Sequence, residues 1–267
     1  MTNPLVSFII PYYNAGETIQ ETIDSIFKQS YGNFDIWIIN DGSTDPFSIE
    51  KLKDFEGNEK IHLLHQENAG PSVARNAAIK QSTADFIVPL DADDVINPDS
   101  IARSIEVLRD AEVGVAFGDI RYFGMENHVK IQSHFSMDRQ LFMNQLAVTA
   151  LIRKAVYHEV GYYDEFLSKL GLEDWEFWLR VGQSPWKFHK VEGIFFQARS
   201  SKNSRTFEVA NQNLEQIKQY VYQKHAVIMA ECYEKMYYQK KQLLETPDYR
   251  IGNWLMKPYR SVKKLFQ

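Results

Sequence analysis

Phe86-Ile87-Val88-Pro89-Leu90-Asp91-Ala92-Asp93-Asp94 is the stretch that decides how this chain folds. Its apolar first half has the length of a buried strand. Its second half sends several carboxylates out of that strand's end together. Such a cluster repels itself unless a cation or solvent neutralises it. Oxygen ligands of this kind suit Mg²⁺ or Mn²⁺, with substrate phosphate oxygens completing the shell. A solvated acidic loop leading into a helix near Pro98 accounts for the same residues equally well. A calcium EF-hand loop does not, because Val95 and Ile96 stand where a ligand and a turn glycine are needed.

Working outward, strand and helix signals alternate. Residues 5–10, 34–39, 61–65 and 113–117 join 86–90 as expected strands, and 17–29, 72–80 and 98–109 as expected helices. That alternation predicts an α/β fold, a Rossmann-like and mostly parallel central sheet flanked by helices. Right-handed crossovers bring the strand ends to one edge, where open α/β sheets bind ligands. Residues 129–132 and 147–153 are further strand candidates, and 173–181 reads as a helix with Trp175, Trp178 and Leu179 on its apolar face. Residues 187–191 and 194–198 read as a hairpin turning at Glu192-Gly193. Residues 207–244 read as helical and rich in aromatics.

The bulk properties narrow the partners. The 267 residues, 44% of them hydrophobic, suffice for one large domain or two small ones. A formal net charge of −5 argues against a nucleic-acid polymer, though not against a nucleotide. Cys232 is the only cysteine, which fits a reducing compartment. The apolar run 5–10 passes directly into Pro11-Tyr12-Tyr13-Asn14, a strand and loop and not a leader. No apolar stretch is long enough for a bilayer, so a cytoplasmic location is expected.

Four polar loops follow the first four strands: Pro11–Asn14, Asn40–Asp45, Gln66–Gly70 and the acidic cluster. Gathered on one rim, they make a nucleotide-sized site. Asp41 either accepts a hydrogen bond from the ring N–H of uracil or thymine or opens the Asp-Gly-Ser-Thr-Asp turn. Asn68-Ala69-Gly70-Pro71-Ser72 is a helix N-terminus suited to phosphate, with Arg75 one turn in. Arg75 either contacts that ligand or makes a structural ion pair. Glu173-Asp174-Trp175 opens a helix whose dipole favours an ionised carboxylate; the residues serve as a general base or as a plain helix cap. Arg199 begins a basic, hydroxyl-rich segment that either covers a diphosphate or is an ordinary loop.

Together these segments resemble the family-2 glycosyltransferases with the GT-A fold. The matching residues are Pro11-Tyr12-Tyr13-Asn14, Asn40-Asp41-Gly42-Ser43-Thr44-Asp45, Asn68-Ala69-Gly70-Pro71-Ser72-Val73-Ala74-Arg75-Asn76, Asp91-Ala92-Asp93-Asp94 and Glu173-Asp174-Trp175. The resemblance implies a catalytic domain over 1–205, with a nucleotide-binding half to about residue 120 and an acceptor-binding half beyond it, then a helical extension over 206–267. It implies that Pro11, Tyr13 and Asp41 hold the nucleoside, with Arg75 near the donor. Asp93 would bind Mg²⁺ or Mn²⁺, and Asp91 would hold the ribose or the metal shell. Asp174 would be the catalytic base of an inverting transfer, with Glu173 and Trp175 positioning the acceptor or the loop. Trp175 or Trp178 could also stack on a sugar, although helical spacing favours core for Trp178. The implied partners are a nucleotide diphosphate sugar, UDP- or dTDP-linked by the Asp41 argument, and a glycan or lipid-linked acceptor. One departure stands out: where many members carry Arg-x-His-x-x-Ser, this chain has Arg199, Ser201 and Ser204. Serine is a poor metal ligand beside imidazole, so the late loop is expected to touch phosphate through Arg199 and not the metal. A non-catalytic sugar-nucleotide or carbohydrate binder and a two-carboxylate glycoside hydrolase are the competing classes. The tail over 250–267 is basic and aromatic, which predicts peripheral contact with the inner face of a membrane, packing onto the catalytic domain, or dimerisation.

Overall fold

The structure, a computed structural model, describes residues 3–200 and 205–246. The expectations for Ser201, Ser204 and the tail beyond 246 therefore lie outside the described residues. The chain divides into two compact units, Met1–Ile217 and Lys218–Gln267.

The first unit is built on a nine-stranded sheet. Its strands are β1 (Val6–Tyr12), β2 (Phe34–Asp41), β3 (Ile61–Gln66), β4 (Phe86–Pro89), β5 (Val95–Ile96), β6 (Val113–Gly124), β7 (His128–Lys130), β8 (Leu151–Arg153) and β9 (Lys187–Ser200). They lie in the order β3-β2-β1-β4-β8-β6-β9-β5, with β7 paired to β6. β3, β2, β1 and β4 are mutually parallel. β8 is antiparallel to both β4 and β6, so β6 again runs with β4, and β9 is parallel to β6. These strands consequently end on one edge, as the alternation predicted.

The intervening helices are α1 (Ile19–Phe27), α2 (Pro46–Lys51), α3 (Pro71–Gln81), α4 (Ser100–Val107), α5 (Met137–Gln140), α6 (Lys154–Val160) and α7 (Glu173–Gly182). The continuous apolar strands are explained by cover on both faces. On β1, Phe8 and Ile10 join one core cluster with Ile19, Ile23 and Ile26 of α1. Ile9 joins the other, with Ala74, Ala78 and Ile79 of α3. The alanines let α3 lie close to the strands, which matters because α3 carries Arg75.

Two expectations change. Residues 187–200 form no hairpin; they are one strand pairing in parallel with β6, and Glu192-Gly193 lies at a bulge where the register jumps from Phe117↔Lys190 to Asp119↔Ile194. Gly193 takes φ +79°, so the residue that reads as a turn accommodates the bulge. The helical stretch 207–244 is three helices, α8 (Arg205–Gln212), α9 (Leu214–Lys224) and α10 (Ala226–Glu245). Asn213 breaks the first pair, its amide donating to the Val209 carbonyl at 2.8 Å.

Candidate active site

The first two loops on the rim are joined through Asn14. Its side-chain oxygen accepts from the backbone N–H groups of Thr44 and Asp45, at 2.8 and 3.0 Å. Asn14 itself takes φ +51°, a turn its short polar side chain tolerates. Beside it Pro11 is half-buried and Tyr13 is exposed.

Asp41 ends β2 and is 4% exposed. Its Oδ1 accepts from Gln66 Nε2 at 2.7 Å and Ala69 N at 2.8 Å, and its Oδ2 from Gly70 N at 2.8 Å. The carboxylate thus ties β3 and the entrance of α3 to the end of β2. Gly70 is required there: its φ is +91°, and a Cβ would lie 2.5 Å from Ser168 Oγ. Ser168 in turn accepts from Ser72 N at 3.1 Å, docking the 3₁₀ turn Glu165–Lys169 on α3.

Arg75 is the hub. It is 2% exposed, and its Nη2 donates to Asp91 Oδ1 at 2.7 Å while Nη1 donates to Glu173 Oε1 at 2.5 Å. Burial alone would lower its pKa, but the charges of Asp91 and Glu173 outweigh burial and hold it above the ordinary arginine value. One guanidinium therefore joins the acidic loop to the start of α7, motifs some 80 residues apart in sequence. Of the two expectations for Arg75, the structure shows the ion pair, buried and shared between Asp91 and Glu173.

The acidic loop is held from the other side by Thr18 Oγ1, which donates to the Ala92 carbonyl at 2.9 Å. Burial first, then the charge of Asp91, pushes Asp93 up to about 6. Burial and the charges of Asp91 and Asp93 raise Asp94 well above the usual carboxylate range. Asp94 accepts from Arg199 N at 3.0 Å, and the Asp93 carbonyl accepts from Arg199 Nε at 3.1 Å. Arg199 also pairs with Glu21 and lies over the Phe123 ring, 4.5 Å from its centroid. The late strand is thereby fastened to the acidic loop. Among the described residues no group of three or more His, Cys, Asp and Glu side chains forms a closed metal cage. Mg²⁺ and Mn²⁺ do not require one, since they commonly bind one or two carboxylates plus substrate phosphates and water. The half-buried Asp93 carboxylate, an oxygen donor with its pKa raised by burial and by the charge of Asp91, fits such an ion.

α7 starts from a sharp turn. Gly171 and Leu172 take φ +95° and +58°, and the left-handed leucine immediately precedes Glu173 and Asp174. Backbone strain of this sort concentrates at functional sites. Asp174 Oδ1 accepts from Trp175 N and Oδ2 from Asn144 Nδ2, each at 2.8 Å. Burial, then the charge of Glu173, pushes Asp174 up to about 7. Trp175 is 2% exposed and its Nε1 donates to the Gln140 carbonyl at 2.6 Å; Trp178 is fully buried. Neither indole offers a face for stacking on a sugar. Trp175 instead fixes the α5 segment against α7. That segment, which carries Asn144 to Asp174, has no motif and was missed in the sequence.

With that geometry in place, the sequence model for Glycosyl transferase family 2 matches residues 7–170. An uncharacterised glycosyltransferase of Rickettsia prowazekii is 30% identical over 82% of this chain and 70% of its own length. One of Rickettsia felis is 28% identical over 79% of this chain, which spans only 37% of that relative. A Bacillus subtilis glycosyltransferase provisionally assigned to teichuronic acid biosynthesis is 35% identical over 44% of this chain and 48% of its own. Among solved structures, Staphylococcus aureus TarS 1–349 in complex with UDP-GlcNAc superposes with a TM-score of 0.64 at 18% identity, over 76% of this chain and 60% of that one. A mannosyltransferase of Pyrobaculum calidifontis, in complex with GDP-Man and Mn²⁺, gives 0.60 at 15% identity, over 94% and 84%. These likenesses show the fold to be GT-A.

Proposed function

This chain belongs to glycosyl transferase family 2, and from that premise we propose that it is an inverting, metal-dependent enzyme. It moves a sugar from a UDP- or dTDP-linked donor to a hydroxyl of a glycan or lipid-linked acceptor, in cell-surface polysaccharide synthesis. The observation that carries this reading is the Arg75 bridge between Asp91 and Glu173. It ties the acidic loop to the start of α7, which in this reading carry the donor-side carboxylates and the base. Support for the donor class comes from the UDP-GlcNAc and GDP-Man held by the two structural neighbours.

In this reading Pro11 and Tyr13 flank the nucleoside. Asp41 Oδ2, which carries one internal donor, accepts the N3–H that uracil and thymine share. Asp91 holds the ribose, and Arg199 contacts the diphosphate. Asp93 would hold Mg²⁺ or Mn²⁺, which would supply neutralising charge to the diphosphate. Asp174 takes the proton of the acceptor hydroxyl as that oxygen bonds to the anomeric carbon, and the carbon–phosphate oxygen bond breaks on the opposite face. No covalent enzyme intermediate is needed, so alignment is the protein's principal contribution. A carboxyl raised to about 7 suits the task, because a general base works best with a pKa near the operating pH.

The test is release of nucleoside diphosphate from a panel of UDP-, dTDP- and GDP-sugars with Mn²⁺. Release from a UDP- or dTDP-sugar that disappears in Asp174→Asn is expected. Tight donor binding with no turnover under any condition would favour the non-catalytic binder instead.

Among the described residues no helix is long and apolar enough to cross a membrane. We place the enzyme in the cytoplasm, with the tail touching an anionic leaflet. The support is Arg250, Lys257, Arg260, Lys263 and Lys264 interleaved with Trp254, Leu255 and Phe266, without an acidic residue between 250 and 267. Equal pelleting with anionic liposomes by the full chain and by a chain ending at Thr246 would remove the tail from this role.

A further inference from the structure

Asp174 is held from α5's side by a chain of amides whose orientation can be derived. The start is a backbone N–H, which leaves no choice of atom: Gln145 N donates to Gln140 Oε1 at 3.0 Å. That fixes the Gln140 carboxamide, so its Nε2 is the atom facing the Trp175 carbonyl at 3.2 Å and Asn144 at 3.4 Å. The Asn144 atom facing Gln140 is then the oxygen. Its Nδ2 is consequently the atom 2.8 Å from Asp174 Oδ2. Gln140 is fully buried, and its backbone carbonyl is occupied by the Trp175 indole. This network orients the Asn144 amide so that its Nδ2 donates to Asp174.

A donor-only partner discriminates between the two states of a carboxyl group. It stabilises the ionised form and offers no acceptor to the protonated one. The charged and titratable groups around Asp174 are Glu173 on its own helix, Arg75 from α3 and Tyr163 from the segment before the 3₁₀ turn. Glu173 opposes ionisation and Arg75 favours it, while Arg75 is already shared with Asp91. On the α5 side the group reaching the carboxylate is the Asn144 amide; Arg139 there donates instead to Ser133 Oγ and the His134 carbonyl.

We propose that Asn144 is a positioning residue of the transfer reaction: its amide fixes the orientation of the Asp174 carboxylate and keeps it ionised for proton abstraction. This rests on the reading of Asp174 as the base. With Trp175 N on Oδ1 and Asn144 on Oδ2, both oxygens are anchored, and each keeps lone-pair capacity for the incoming hydroxyl proton.

The experiment is a ¹³C titration of the full chain labelled at aspartate Cγ, with the Asp174 resonance identified by its loss in Asp174→Asn. The wild-type midpoint is expected near 7. Loss of a hydrogen bond to a charged group should raise it by about one pH unit in Asn144→Ala, a roughly tenfold change in the ionisation constant. Asn144→Ser keeps a donor on a shorter arm and should show a smaller upward shift; it carries the comparison if the alanine variant does not fold. An unmoved midpoint in a folded variant overturns the inference while leaving Asp174 as base. In parallel, nucleoside diphosphate release from UDP-GlcNAc with Mn²⁺ is followed against pH. The acid limb of kcat should move with the titration midpoint while the donor KM stays put. A midpoint that moves without the acid limb would overturn the role of Asp174 as base, and with it this role for Asn144.

Discussion

Asp41 and Asp174 are carboxylates of one rim, each beside the entrance of a helix, yet the protein treats them in opposite ways. Asp41 receives three donors, two of them backbone N–H groups at the start of α3. Asp174 receives two donors, sits against the negative charge of Glu173, and is pushed up to about 7. A carboxylate that satisfies the N–H groups of a turn holds the fold. A half-buried carboxylate left short of compensation costs stability and is correspondingly ready to take a proton. Perturbed groups of the second kind cluster at functional sites. The same contrast recurs in the acidic loop, where Asp91 is paired with Arg75 and Asp93 is pushed up to about 6.

The sharpest way to break the contrast is Asp174→Asn. The amide is nearly isosteric but cannot take the proton, so transfer should fall by about 10²–10⁴-fold with donor binding retained. The pH dependence has a definite sign. The folded chain keeps the Asp174 proton up to about 7, whereas an unfolded aspartate loses it near 3.8. The contribution of Asp174 to stability therefore declines as pH rises between those values and is flat above them. The urea midpoint of Asp174→Asn should decline less over that window than that of wild type. Equal declines would mean that burial of Asp174 carries no stability cost.

Arg75→Met tests the bridge itself. Removing one partner of a buried ion pair costs about 3–5 kcal/mol, and the low end is expected because the Asp91 side chain is 41% exposed. The variant should also shift the acid limb of any activity upward, since Glu173 would then act on Asp174 without its counter-ion. A stability loss with an unmoved acid limb would confine Arg75 to the fold.

A smaller effect is expected from the metal-side pair. Asp93→Ala should abolish the Mn²⁺-dependent part of donor binding in calorimetry, and Ser201→Ala should leave it nearly intact, because Mg²⁺ and Mn²⁺ prefer carboxylate oxygen. Equal losses would show that the late loop supplies a ligand after all.

The legibility of these features in the sequence follows from where their partners lie. β1 to β4 were readable because a strand buried on both faces is a continuous apolar run. The parallel order followed because helices separate those strands. The β9 bulge was misread because Glu192-Gly193 has turn chemistry, while the partner that straightens the chain, β6, lies some 70 residues away. Helix α7 and its carboxylates were legible from local pattern, but the contacts that distinguish them were not. Asn144 meets Asp174 across 30 residues, Asp41 meets Gly70 across 29, and Arg75 meets Glu173 across 98. Motif order gathers Asp41 and the acidic loop on one rim but is silent about Asn144. Only the fold shows which carboxylate is satisfied and which is exposed to strain.

The smallest effect belongs to the satisfied member of the pair. If Asp41 Oδ2 reads the N3–H of uracil or thymine, it does so with the acceptor capacity left beside the Gly70 N–H, and one hydrogen bond to a charged group is at stake. Its loss should weaken UDP by about ten- to a hundredfold at most. UDP and dTDP should bind more tightly than CDP, whose neutral ring lacks that proton, and more tightly than GDP, whose comparable N1–H sits on a larger ring. Asp41→Asn should lower stability by about 1–3 kcal/mol, since its amide nitrogen would face the N–H groups of Ala69 or Gly70. The informative measurement is the ratio of UDP to CDP affinity in that variant, by calorimetry with Mn²⁺. A ratio that collapses toward one makes Asp41 a reader as well as an anchor. A ratio equal to that of wild type, in a variant that is merely less stable, leaves it an anchor alone, and the contrast with Asp174 becomes complete.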